Sequence, residues 1–246
     1  MTTPPDTAHR CDAFALPSSL GPAPARGAVA RWALPSAAAL ALLGWIGLAV
    51  PARAVTIAKN ELAAIAQLKN ISSAQAQCQA AGVIDVNNNG AGEYGFFGEL
   101  SGAVAVRGGS DRISPQVLSN AFAKVVDGRI HRGGYVFQIY LPDHRSLGVG
   151  EDATGGDPDN GQGVSPSLAE VSWACYAWPE THGGTGQRAF FIDQAGDILA
   201  SENTARRYSG AACKPGFDAA LGDPLPDRPE AVRGADGEVW TKLGPP

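Results

Sequence analysis

The chain has one methionine, Met1, and only four cysteines in 246 residues. No two cysteines stand in a C-x-x-C pair, and no Cys/His spacing suggests a structural zinc site or a redox centre. No Lys/Arg block is present, and residues 55–246 carry 15 Lys/Arg against 22 Asp/Glu, a net charge of −7. A mildly acidic chain of this kind lacks the positive footprint that nucleic acid requires. It lacks equally the polybasic stretch that docks on anionic lipid. There is no Gly-x-Ser-x-Gly, no phosphate-cradling glycine loop and no His-Glu-x-x-His. Internal repeats are also missing. The longest apolar run, Ala37 to Val50, is 14 residues, short of the roughly 20 that span a bilayer.

What is present points to an exported globular domain. The apolar fraction is 44%, enough for a packed core. Glycine (31) and proline (18) make about a fifth of the chain, which implies many turns and long loops. Arg26 and Arg31 precede the apolar run, and Pro51-Ala-Arg-Ala54 follows it with an Ala-x-Ala pattern. Basic flank, short apolar centre and small-residue site form a secretory signal peptide at about 29–54, within a leader of residues 1–54. Translation from Val29 would give that leader an ordinary length. The domain proper is then 55–246, periplasmic or extracellular; the alternative is retention of 37–50 as an inner-membrane anchor.

Export places Cys11 in the leader and leaves Cys78, Cys175 and Cys213 in an oxidising compartment. The expected arrangement is a Cys175–Cys213 disulfide with Cys78 as a buried thiol; the alternative is three buried thiols.

Apolar residues at 57, 58, 62, 65, 68 and 71 follow the rhythm of a half-buried helix. Lys59, Gln67, Asn70 and Ser73 take the other side, and Gly82 supplies a stop. Such a helix, about 24 residues or roughly 36 Å, is a spine for a sheet or projects past the body. Glu61 falls inside the apolar stripe, where an exposed helix start favoured by the dipole accounts for it.

After the helix comes Asp85-Val-Asn87-Asn-Asn89-Gly90-Ala-Gly-Glu93. Asp85, Asn87 and Asn89 at alternate positions before a glycine match the front half of a calcium loop, with Glu93 at the ninth position. Phe96 stands where the bidentate Glu belongs. A Ca2+ site and a plain Asx-type turn are both consistent with this stretch.

Tyr94 to Leu100 reads as an apolar plug, and Ser114 to Phe122 as a short helix with Pro115 at its first position. Asp127-Gly128 is a hairpin signal. Tyr135 to Leu141 is the clearest strand; Ala169 to Trp178, Arg188 to Asp193, Asp197 to Ala200 and Glu238 to Leu243 follow. Long loops are expected at 82–95 and 142–168, the second carrying Glu151, Asp152, Asp157 and Asp159 as a solvated stretch or a second cation site. One helix followed by hairpin-linked strands is an α+β pattern: a long N-terminal helix on an antiparallel meander.

Asn60 to Gln75 resembles the exposed half of the N-terminal helix in type IV pilin-like proteins and the major pseudopilins of type II secretion. Gly186-Gln-Arg-Ala-Phe-Phe-Ile-Asp-Gln-Ala-Gly-Asp-Ile198 is similar to their late hairpin, and Gly134-Tyr-Val-Phe137 fits an earlier strand. The resemblance covers about 57–200. It implies a pilin-like domain in an envelope protein that assembles without catalysis, with envelope or secretion-system proteins as partners. The chain departs from that pattern before the helix: the apolar run is short, carries no glutamate and ends at Pro51, so polymerisation through it is not expected.

The expected function is therefore a non-catalytic exported protein with a structural or interaction role. One alternative is a calcium-dependent binding or adhesion module using Asp85–Glu93. The other is a secreted hydrolase with Cys175 and His182 as nucleophile and base. His131, His144 and His182 lie in polar, turn-like contexts that suit surface histidines. Trp173, Tyr176 and Trp178 suit either sheet packing or a ligand groove.

Overall fold

The long helix begins earlier than its apolar rhythm suggests. In the computed structural model, which describes residues 52–159 and 162–244, α1 runs Ala52–Ala81, 30 residues. The apolar run and Cys11 lie outside the described residues; Ala52 to Ala54 of the cleavage pattern form the first turn of α1. Gly82, with φ of +61°, ends the helix as expected.

The buried face of α1 is Glu61, Ala64, Leu68, Ile71, Ala74, Gln75 and Cys78. This face is rotated from the stripe read in the sequence: Leu62 is 67% exposed, and Glu61 is buried in its place. The small side chains Ala64 and Ala74 let the helix axis approach the sheet, so α1 lies directly against β4 (Ala174–Pro179) and β5 (Ala189–Asp193).

The sheet has nine strands. Besides β4 and β5 these are β1 (Ile130–Arg132), β2 (Tyr135–Pro142), β3 (Gly148–Gly150), β6 (Leu199–Ser201), β7 (Gly222–Leu225), β8 (Arg228–Gly234) and β9 (Val239–Lys242). Every pairing is antiparallel, in the order β1-β2-β4-β5-β6-β9-β8-β7, with β3 also on β2. All residues of β2 and β4 are buried, because both faces of the sheet are covered. Tyr135, Phe137, Ile139, Cys175, Phe190 and Ile192 join the core on the α1 side. Val136, Tyr140, Tyr176, Trp178, Phe191 and Trp240 form a second core with Tyr208 and Phe217 from the 203–221 segment.

The fold is thus α+β with an antiparallel sheet, as expected. The sheet, however, is larger than a pilin-like meander and is not a simple meander, since β9 rather than β7 lies beside β6. Two strands that no sequence pattern announced, β7 and β8, form from the Pro-, Asp- and Gly-containing stretch before the last strand. Pro224 is tolerated there because β7 is the sheet edge, where a missing N–H breaks no ladder.

Four local expectations change. The helix expected at Ser114–Phe122 reduces to a 3₁₀ turn at Asn120–Phe122, because the Val117 and Leu118 amides donate to the Leu100 carbonyl instead of to a helical ladder. Tyr94–Leu100 ends in the four-residue α2 (Phe97–Leu100). The long loop at 142–168 contains β3 and the start of α3 (Pro166–Ala169), and the strand expected from Ala169 starts only at Ala174. The 82–95 loop stays without regular structure.

Candidate functional site

The loop that suggested calcium is closed on its own backbone. Asp85 accepts from the amides of Asn89 (Oδ1, 3.1 Å) and Gly90 (Oδ2, 2.9 Å). Asn87 Oδ1 accepts from Asn89 N and Asn89 Oδ1 from Ala91 N. The side-chain amides of Asn87 and Asn89 both donate to Glu170 Oε1, at 2.9 and 2.8 Å. Asx-type bonding of this kind fixes a turn with the same residues a cation loop would use. Glu93 leaves the loop entirely: it is fully buried, takes the Val86 amide on Oε1 and faces Arg107 with Oε2. Glu93 is therefore withdrawn from Asp85, Asn87 and Asn89, whose side-chain oxygens are taken by backbone amides, and the four do not form one donor set for calcium. Among the described residues no group of three or more His, Cys, Asp or Glu is arranged to hold a metal. That also covers the second cation site, where Glu151 turns inward and Asp152 caps Thr154.

What the sequence did not signal is where Glu93 goes. Arg107 is buried between Glu93 (3.0 Å) and Glu99 (2.7 Å), and its guanidinium also donates to the Tyr94 carbonyl. Glu99 takes in addition the amides of Phe96 and Arg107. Beside it Glu151 is 7% exposed and receives Gly98 N (2.7 Å) and Gly156 N (2.9 Å) on Oε1, with Phe97 N on Oε2 at 3.2 Å. Burial pushes the Glu151 carboxyl up to about 8, against the pull of those amides and with a further push from Glu99. Two of the three buried carboxylates, Glu93 and Glu99, thus share one arginine, and Glu151 is held by backbone amides alone. The geometry does structural work, tying the plug, the 104–107 turn and the 151–156 turn together in a site closed to solvent.

A second join fixes α1. Glu61 accepts from the amides of Gln187 and Arg188, both at 3.1 Å, and pairs with Arg188 Nε at 2.9 Å. The exposed helix start expected for Glu61 is corrected accordingly: it is the polar anchor of α1 on the entry to β5. The Gly186-x-Arg188 motif gains a physical reading from this. Arg188 is the partner of Glu61, and Gly186 must lack a Cβ because one would sit 2.3 Å from the Tyr135 hydroxyl. A glutamate at the head of an apolar stripe and an arginine after a glycine were the only sequence signals for the join.

The cysteines are the clearest correction. Cys175 is a free buried thiol, so the Cys175–Cys213 disulfide does not form; Cys213 is itself disulfide-bonded, so the alternative of three buried thiols does not hold either. The reason is the two-residue alternation of a strand: Cys175 points into the core on the α1 side, whereas Cys213 belongs to the core on the other face. Cys78 is also free and buried, its thiol pushed up to about 12 by desolvation. Burial raises the Cys175 thiol as well, the opposite of an activated nucleophile. His182 is in the bend after β4; desolvation lowers its pKa, and its Nε2 is buried with no hydrogen-bond partner. His131 stands 3.3 Å from Glu180 at the surface. Tyr176 donates to the Phe217 carbonyl and accepts from Ala220 N, Trp178 donates to Gly210 O, and Trp173 is in the α1-side core. These aromatics are packing residues.

Among the described residues an open groove lies between α1 and the ends of β6 and β9. The groove, of about 580 Å³, is bounded by Leu62, Ile65, Ile198 and Leu243, with Arg188 and the Lys242–Asp197 pair at its rim. A second hollow of about 560 Å³ shares Arg188 and Leu243 with it and adds Arg228, Glu202 and Glu238. Charges of both signs line the two hollows.

The chain matches no family model, no curated protein and no solved structure.

Proposed function

We propose that this chain is a non-catalytic exported protein whose α1 helix carries an α+β body in the envelope or outside the cell, in a structural or interaction role. The observation that supports it is the division of α1. From Glu61 onward the helix is packed on the sheet, whereas Ala52 to Asn60 carries no fully buried residue. Those outer turns lie immediately after the apolar run, and the Ala52-x-Ala54 pattern falls within them. Among the described residues, cleavage after Ala54 removes Ala52–Ala54, with the bonds from Arg53 to the Gly183 carbonyl and from Thr56 to the Ala52 carbonyl. Every contact from Glu61 to Cys78 survives. Retention of the run instead makes α1 the stalk between anchor and body.

The pilin-like resemblance enters this reading through the helix, the 186–198 hairpin and their Glu61–Arg188 join. The nine-stranded sheet goes beyond it, and polymerisation is not part of the proposal. Among the described residues no helix is long and apolar enough to cross a membrane, so anchoring depends on residues 37–50. The test is expression of the full chain in a bacterium, with fractionation and intact-mass measurement. A periplasmic species beginning at Val55, lost when Ala54 is changed to Leu, is the expected result. A membrane-bound uncleaved species selects the anchored form, and a full-length cytosolic one overturns the proposal.

A further inference from the structure

Glu151 is the carboxylate of the buried cluster that has no cation of its own. Arg107 is engaged on both sides by Glu93 and Glu99, and Glu151 has only three backbone amides. With all four groups ionised the cluster holds a net charge of −2 inside the body, a state that burial strongly disfavours. Its Oε1 takes two amide bonds, at 2.7 and 2.9 Å, and its Oε2 a single one at 3.2 Å, and burial beside Glu99 outweighs their pull toward the ionised form.

The carboxyl also closes a small device. Residues 151–156 fold round it, with Asp152 N donating to Gly156 O and Gly156 N to Glu151 Oε1. The same oxygen holds this turn to the start of α2 through Gly98. Opposite, Gly128 has no room for a side chain, since a Cβ would lie 2.2 Å from the Glu151 carbonyl oxygen. The charged groups around Glu151 are Glu99 from α2, then Arg107, Glu93 and the Cys78 thiol behind it. On the 124–130 hairpin Asp127 is exposed and Arg129 donates away to the Asp127 and Ala211 carbonyls. Asp152, next in sequence, turns to Thr154. None supplies Glu151 with a counter-charge.

We propose that Glu151 is a proton-dependent latch: protonated, it holds the 151–156 turn on α2, and loss of the proton releases that turn to water. The sign follows from linkage. The docked carboxyl binds its proton more tightly than the released one, so docking is firmest in acid. It weakens as pH rises from the ordinary carboxylate range, near 4.5, to the docked value near 8. Across that window one proton changes the opening equilibrium by up to about tenfold per pH unit.

Native-state amide exchange on the full chain tests this at Phe97, Gly98 and Gly156. After correction for base catalysis, opening at these amides is expected to increase several-fold per pH unit between pH 5 and 7.5. Cys175 and Ile192 in the sheet should show no such change. Glu151→Gln should flatten the dependence, and a flat wild-type profile or an equally steep variant overturns the latch. Should that variant not fold, the carboxyl-carbon NMR titration of Glu151 in the wild type decides. A midpoint above 6.5 supports the proposal, and one below 5 overturns it.

Discussion

Removal of Arg107 measures how much of this domain hangs on one buried cation. Its side chain is 1% exposed, and those of Glu93 and Glu99 are fully buried. In Arg107→Met the volume is largely kept, so the loss is mainly electrostatic. Glu93 retains only the Val86 amide, and Glu99 the amides of Phe96 and residue 107. Deleting one member of a buried ion pair costs about 3–5 kcal/mol, because the remaining charge stays desolvated. Against a typical total of about 5–15 kcal/mol this is a large fraction. At roughly 2–4 °C per kcal/mol for a domain of this size, the melting midpoint should fall by about 6–20 °C. The assay is paired urea and thermal unfolding at pH 5 and pH 8. The loss should be smaller at pH 5, where the orphaned carboxylates can take up protons, and Glu99→Gln should partly restore the Arg107→Met protein at pH 8. A cost below 1 kcal/mol, or no rescue, would refute the reasoning.

Glu61→Ala removes three hydrogen bonds between α1 and the entry to β5. It should cost about 2–3 kcal/mol and speed amide exchange at Gln187 and Arg188 before the rest of the sheet; unchanged exchange there would sink the anchor role. Gly186→Ala forces a methyl to within 2.5 Å of the Tyr135 ring. It should destabilise by about 1–3 kcal/mol in thermal unfolding, and a neutral result would show that the ring moves freely. The melting midpoint should be the same with calcium and with a chelator, and a rise of several degrees with calcium would restore the Asp85 loop as a cation site. Cys78 and Cys175 should resist alkylation until denaturant is added; prompt labelling of either in the native state would contradict their burial.

The parts of the fold legible in the sequence are those set by near neighbours. Tyr135–Leu141 and Arg188–Asp193 declare themselves by β-branched and aromatic content. The tight turn between β5 and β6 does so by Gly196, whose φ of +78° only glycine adopts without strain. The helix was legible as a helix, but its buried face was not. Hydrophobicity assigned Leu62 inward, whereas Glu61, one position earlier, is drawn in by Arg188 from 127 positions away. Nor could the cysteine pairing be read, because it depends on which face of the sheet the 203–221 segment covers.

The candidate site failed in sequence for a related and more general reason. Asp85, Asn87, Asn89 and Glu93 have the residue types of a calcium loop, and residue type fixes only what a side chain can bind. What Glu93 does bind is decided by competition. A fixed guanidinium 14 positions downstream is already dehydrated on the body's own account, whereas a free cation must be stripped of water and held against that positive charge. Arg107 therefore captures Glu93 and leaves the loop with one carboxylate, Asp85, spent on backbone amides. The same capture leaves Glu151 without a cation. One arginine thus closes the site that the sequence suggested and creates the titratable one that it did not.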